Sequence, residues 1–137
     1  MILVDTSVLI NYFKGKKGGK TDVFDAVLSY NIPFGISAYT YQELLQGARD
    51  EKEFTTLKDY LTGQKIYMLP ETAEVYEAAA KLYFDARRKG ITPRSTIDIL
   101  IAHTCIYHDL FLLHDDRDFD ALAKLFSQLK IYEADSN

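Results

Sequence analysis

Apolar residues follow two rhythms along this chain. Short continuous runs rich in β-formers recur at Ile2-Leu3-Val4, Phe34-Gly35-Ile36, Ile66-Tyr67-Met68-Leu69, Leu110-Phe111-Leu112-Leu113 and Leu129-Lys130-Ile131-Tyr132. Each is too short for a buried helix and reads as a strand. Between them apolar residues recur at helical spacing: Val8, Leu9 and Tyr12; Val23, Phe24, Val27 and Leu28; Leu44 and Leu45; Phe54, Leu57, Tyr60 and Leu61. The longest such stretch, from about Thr72 to Lys89, carries Val75, Tyr76, Ala79, Leu82, Tyr83 and Ala86 on one face and predicts a core role for its tyrosines. Ile97, Ile101, Cys105 and Ile106 mark a strongly apolar helix, and Leu122 and Leu125 a last one. Asn31-Ile32-Pro33, Gly63, Pro70 and Gly90 punctuate the pattern. Strands alternating with helices predict a parallel sheet covered on both faces, in one domain over residues 1–137, with no internal repeat or coiled coil.

That topology gives the strand exits a special place. In an open α/β sheet, sites form outside the carboxyl ends of the strands. The first strand ends at Asp5, and Thr6-Ser7 begins the next helix. Asp5 is therefore expected at the mouth of a crevice.

Composition narrows the class. The apolar fraction of 47% supports a packed core. No apolar run approaches the roughly 18 residues of a membrane span, and Met1 leads directly into the first strand with no basic segment before it. The one cysteine, Cys105, cannot form an internal disulfide, so a reduced cytoplasmic compartment is the simplest expectation. The net charge of −4, from 16 basic and 20 acidic residues, lacks the basic excess usual in nucleic-acid binders. A bound divalent cation would offset part of that charge.

Four acids stand where the strands end. Asp5 closes the first, Glu43 follows the second by about two helical turns, Asp98 begins the most apolar helix, and Asp116 follows the fourth. Each has a local explanation. Thr40-x-x-Glu43 and Ser95-x-x-Asp98 fit capping boxes, and Asp5 and Asp116 suit helix N-termini. Capping does not require four acids on one edge, where they repel. A hard cation such as Mg²⁺, which prefers oxygen ligands, resolves the repulsion. Asp115, Asp118 and Asp120 read as turn, cap and solvent-facing residues, and His114 as a turn residue.

Other chemistries fit poorly. His103, His108 and His114 form no H-E-x-x-H pair, one cysteine excludes a cysteine-based zinc cluster, and there is no G-x-S-x-G elbow. The segment Lys14-Gly15-Lys16-Lys17-Gly18-Gly19-Lys20 is a flexible basic loop without P-loop spacing. It reads as a solvated connector or a phosphate-contacting flap.

At its acidic positions the chain resembles the PIN-domain nucleases, and among them the VapC-type toxins of toxin–antitoxin pairs. The resemblance is carried by Leu3-Val4-Asp5-Thr6-Ser7-Val8-Leu9-Ile10, Thr40-Tyr41-Gln42-Glu43-Leu44-Leu45-Gln46-Gly47, Ile97-Asp98-Ile99-Leu100-Ile101-Ala102 and Leu112-Leu113-His114-Asp115-Asp116-Arg117-Asp118-Phe119. It implies a three-layer α/β/α fold with a short, mostly parallel sheet. It implies an endoribonuclease dependent on Mg²⁺ or Mn²⁺, a homodimer, and inhibition by a cognate antitoxin. The family's acidic positions carry over to Asp5, Glu43, Asp98 and Asp116, and a supporting hydroxyl to Thr6. His114, where the family often has Thr or another small polar residue, departs from the pattern and bears on a supporting hydrogen bond, not on the metal site.

The mechanism expected is metal-assisted hydrolysis of an RNA phosphodiester. Asp5, Asp98 and Asp116 hold the principal ion, and Glu43 completes the site directly, through water, or by positioning a second ion. Lys14, Lys16, Lys17, Arg87, Arg88 and Arg94 are candidates for RNA contact. Two rival classes share the acidic edge: a DNA-directed flap-type nuclease or a phosphatase, and a non-catalytic RNA- or partner-binding module whose acids only cap helices. The phosphatase is disfavoured because Asp5-Thr6-Ser7 lacks a second aspartate two residues on.

Overall fold

The computed structural model describes residues 1–134. In chain order the elements are β1 (Ile2–Val4), α1 (Thr6–Phe13), α2 (Gly19–Ser29), β2 (Phe34–Ser37), α3 (Ala38–Gln46), α4 (Glu51–Thr62), β3 (Lys65–Tyr67), α5 (Ala73–Arg88), α6 (Thr96–His108), β4 (Phe111–Leu113), α7 (Arg117–Leu125) and β5 (Lys130–Ile131). The strands form one parallel sheet in the order β3-β2-β1-β4-β5. The predicted α/β/α architecture is thus observed.

Strand pleating divides the core in two. Ile2 and Val4 of β1 join Leu113, Ile36 and the apolar faces of α1 to α4, including Leu9, Phe24, Leu44 and Leu61. Leu3, between them in sequence, points to the opposite face with Leu112. There it packs with Ala79 and Ala86 of α5, Ile99, Ile101 and Cys105 of α6, and Phe119 and Leu122 of α7. Successive strand residues face opposite ways, so a three-residue strand serves both layers.

The order of the strands fixes where the site forms. The chain steps outward from β1 to β2 and β3, then returns across the sheet to place β4 on the other side of β1. The β1/β4 boundary is therefore the switch point of the sheet, where loops diverge and leave a crevice. Ladder pairing runs from Ile2↔Phe111 to Val4↔Leu113, and Asp5 extends it by donating its N–H to Leu113 O at 2.9 Å.

Two helices depart from their predicted faces, and one loop from its predicted length. On α5 the buried positions are Val75, Ala79 and Ala86, whereas Tyr76, predicted in the core, is 52% exposed. Small residues line the contact, and Tyr76 lies one position round the helix from Val75. On α4 only Leu61 is fully buried, and Phe54 and Tyr60 are exposed rims of the apolar face. The basic loop is shorter than predicted, because Gly19 and Lys20 already belong to α2.

Gly35 marks the tightest approach between β2 and β3. A Cβ there would stand 2.7 Å from Lys65 O and 2.5 Å from a ring carbon of Tyr67. The carbonyl cannot move without breaking the ladder. Gly35→Ala is expected to destabilise the fold by about 1–3 kcal/mol, seen as a lower denaturation midpoint at unchanged m-value.

Candidate metal centre

The acidic edge is built by helix starts that follow strands with almost no slack. A single residue, Asp5, separates β1 from α1, and it is also the N-cap of that helix. Asp5 is 4% exposed. Oδ2 accepts from the Ser7 N–H at 3.1 Å and from the Ser7 hydroxyl at 2.6 Å. The Ser7 oxygen in turn accepts the N–H of Asp115 at 2.9 Å. One serine therefore ties the β1 exit to the β4 exit. Burial pushes the Asp5 carboxyl above its ordinary range, against the bonds from Ser7 and the amide of Thr6.

Glu43 is placed by a chain of buried hydroxyls. The Thr6 hydroxyl lies 2.8 Å from Glu43 Oε1 and 3.0 Å from Thr40 Oγ1, and Ser37 Oγ lies 3.2 Å from Thr40 Oγ1. Each hydroxyl has one hydrogen. The arrangement that uses all three runs Ser37 to Thr40 to Thr6 to Glu43, each donating to the next. Thr6, read from the sequence as a supporting hydroxyl, thus donates to Glu43. Thr40 does not cap α3: Ser37 is the N-cap, accepting from Thr40 N–H at 3.0 Å. The helix begins directly at the end of β2, three residues before the predicted box, and Glu43 lies beyond its first turn.

Asp98 stands in the first turn of α6. The cap there is Ser95, whose hydroxyl accepts from Ile97 N–H at 3.1 Å. Asp98 gains from the helix dipole but is not itself the cap. Its carboxyl is raised to about 6, first by desolvation and then by the charges of Asp5, Asp116, Asp118 and Glu43. All four sequence-predicted acids are therefore brought together, and a fifth joins them.

Asp118 is that fifth. It was expected to be a turn, cap or solvent-facing residue. Instead, carboxylate oxygens of Asp98, Asp116 and Asp118 lie within 4.8 Å of one another. Asp116 is the N-cap of α7 and accepts the N–H of Asp118 at 2.9 Å, and this turn brings the two side chains to the same place. The three oxygens are the hard donors that Mg²⁺ or Mn²⁺ prefers, so the donor set fits a divalent cation. Asp5 and Glu43 border it as charges rather than as members of that tightest triple.

His114, read from the sequence as a turn residue, is 2% exposed. Its Nδ1 accepts the N–H of Asp116 at 3.0 Å, and Nε2 faces Asp120 Oδ1 at 3.1 Å. The acceptor role of Nδ1 leaves the proton of the neutral ring on Nε2, donated to Asp120. Burial lowers the His114 pKa, and Asp120 opposes it. The imidazole therefore makes the hydrogen bond at the β4 exit that its departure from the family pattern had brought into question.

The basic candidates divide. Lys14, Lys16 and Lys17 are exposed after α1, and Lys14 lines a groove with Glu43 and Leu44. Arg87 and Arg88 lie over the Phe84 ring at the end of α5, 5.8 and 5.6 Å from its centroid. Arg87 lines a different groove, with Tyr76, Thr96 and Ile99. Arg94 is bound to Asp116 and Asp118. Cys105 is buried, with its thiol pushed upward by desolvation and by Asp5, which suits an inert core residue.

Comparison with known proteins agrees with this geometry. The family model described as PIN domain matches residues 2–125. The chain is 33% identical over 126 residues to VapC ribonuclease Mb1587 of Mycobacterium bovis and to Ribonuclease VapC11 of Mycobacterium tuberculosis, covering 91% of this chain and 93% of each relative. Among solved structures it resembles VapBC2 from Rickettsia felis bound to a promoter DNA fragment (TM-score 0.72, 18% identity, 98% of this chain and 100% of that one). It is similarly close to DNA-bound VapBC from Salmonella typhimurium (TM-score 0.72, 20% identity, 96% of each chain). These structural likenesses are of fold. With its strand order, its acidic edge and these matches together, the chain belongs to the PIN-domain family, beside relatives named VapC ribonuclease.

Proposed function

We propose that this protein is a divalent-metal-dependent endoribonuclease of the VapC type, hydrolysing RNA phosphodiester bonds as the toxin of a toxin–antitoxin pair. In this reading residues 1–137 are one PIN-like domain, acting as a homodimer, with a cognate antitoxin as its protein partner. The antitoxin is inferred from the solved VapBC structures that share the fold and from a similar chain in a toxin–antitoxin complex from Klebsiella pneumoniae.

One observation carries the metal part of the reading. Carboxylate oxygens of Asp98, Asp116 and Asp118 lie within 4.8 Å of one another, and burial with four neighbouring carboxylates raises the Asp98 pKa to about 6. Capping accounts for Asp5 and Asp116, which are N-caps, but not for Glu43 or Asp98. A fold that needed only caps would not crowd these acids into one crevice.

Asp98, Asp116 and Asp118 would hold the ion, with Asp5 and Glu43 bordering them. Bound there, Mg²⁺ or Mn²⁺ supplies Lewis acidity toward a phosphate oxygen and a lowered pKa for water. The chain's own residues do the rest. Ser7 fixes the rotamer of Asp5, and the hydroxyl chain fixes Glu43. His114 holds the backbone at Asp116. Lys14, Lys16 and Lys17 have the better support as RNA-phosphate contacts, since Lys14 shares a groove with Glu43. Arg87 and Arg88 have less, being engaged with Phe84.

The raised Asp98 pKa has a signed consequence for stability. A carboxyl whose folded pKa exceeds its unfolded value penalises the fold once it ionises. The penalty is absent below about pH 4 and grows as pH rises toward about 6. In chelator, Asp98→Asn is therefore expected to raise Tm at pH 7.5 and leave it nearly unchanged at pH 4. Saturating Mg²⁺ should raise Tm of the wild type and not of the variant. Thermal denaturation across that range checks both.

Activity gives the direct test. Asp5→Asn and Asp98→Asn keep shape while removing a charge. Each is expected to slow Mg²⁺-dependent RNA cleavage at least about 100-fold, matching the several kcal/mol such sites contribute. Folded variants that cleave RNA as fast as wild type would overturn the mechanism.

A further inference from the structure

Arg94 has an arrangement that RNA contact does not explain. It lies in the connector between α5 and α6, one residue before the Ser95 cap. Its side chain is 76% exposed, yet it is engaged at both Nε and Nη2. Nη2 donates to Asp116 Oδ1 at 3.0 Å, and Nε donates to Asp118 Oδ2 at 3.3 Å. The Arg94 backbone N–H donates to that same Asp118 oxygen at 3.3 Å. Asp116 Oδ1 also accepts the N–H of Asp118. The donors thus converge on one oxygen of each carboxylate.

This pattern has a geometric result. A carboxylate with one oxygen tied down loses its freedom to rotate, and its second oxygen takes a defined direction. Asp116 and Asp118 each contribute an oxygen to the triple with Asp98. A single planar guanidinium spans both acids and sets them relative to each other. An ammonium, a point charge on a flexible stem, has no such fork. Partners that orient a metal's ligands govern affinity without touching the ion.

We propose that Arg94 is a positioning residue for the metal centre. It holds one oxygen of Asp116 and one of Asp118, so that the second oxygen of each is presented together with Asp98 to a divalent cation. The inference rests on reading the acidic edge as a metal centre. It makes Asp118 part of that centre and links the cap of α6 to the cap of α7. Because the Arg94 side chain is 76% exposed, its ion pairs contribute little to fold stability, so substitution leaves a folded protein to measure.

The test is Mn²⁺ binding to the full chain, followed by calorimetric titration and by the electron paramagnetic resonance spectrum of the bound ion. Wild type, Arg94→Lys, Arg94→Ala and Asp98→Asn are compared. Arg94→Lys keeps the charge and loses the fork. It is expected to weaken Mn²⁺ binding about tenfold and to change the spectrum of the bound ion, with Tm in chelator unaltered. Arg94→Ala should bind no better than Arg94→Lys. Arg94→Lys binding as tightly as wild type with the same spectrum would overturn the proposal. So would Arg94→Ala binding more tightly than wild type, which would make Arg94 a competitor of the ion. In either case wild-type binding that is lost in Asp98→Asn leaves the metal reading intact. Equal binding by wild type and Asp98→Asn would overturn that reading and the role of Arg94 together.

Discussion

Repulsion between like charges is the constraint around which this protein is arranged. Five carboxylates meet where β1 and β4 diverge, and one of them, Asp98, is held well above its normal titration range. Nothing in the hydrophobic core requires this. The fold tolerates it by giving several of the acids local hydrogen-bond partners. Asp5 and Asp116 take the first amides of α1 and α7, Glu43 takes a hydroxyl, and Asp118 takes a guanidinium. Electrostatic strain at the site is thus offset by capping energy that the helices need anyway.

The sheet makes this economy possible. Parallel strands deliver all their exits to one edge, and the reversal of strand order opens a crevice there. Each strand is only two to four residues long. The layers are held instead by alternating side chains such as Ile2, Leu3 and Val4, which serve two cores at once. A strand that short has no slack in register, so the residue following it is fixed as firmly as the strand itself.

Much of this was legible in the sequence. Five apolar runs announced the strands, and the acids that followed them announced the edge. What escaped was set by geometry finer than periodicity. Asp118 looked like one acid among several, because only the turn at the Asp116 cap folds it back into the cluster. The capping box expected at Thr40 failed because Ser37 is both the last residue of β2 and the cap of α3, a junction without loop residues. Tyr76 matched the spacing of a core face, but Val75, Ala79 and Ala86 occupy the buried contact and Tyr76 is left 52% exposed. His114 looked like a turn residue because its partners, the Asp116 amide and Asp120, are assembled only by the folded β4 exit.

Junctions with at most one intervening residue bear on which length changes the chain can accept. A residue inserted between β1 and α1, or between β2 and α3, would rotate the following helix and carry Asp5 or Glu43 away from its partners. The segment 14–18 after α1 has exposed, glycine-rich backbone and no such duty. Variation in chain length among relatives should therefore gather at that segment and spare the strand exits, whatever the side chains do.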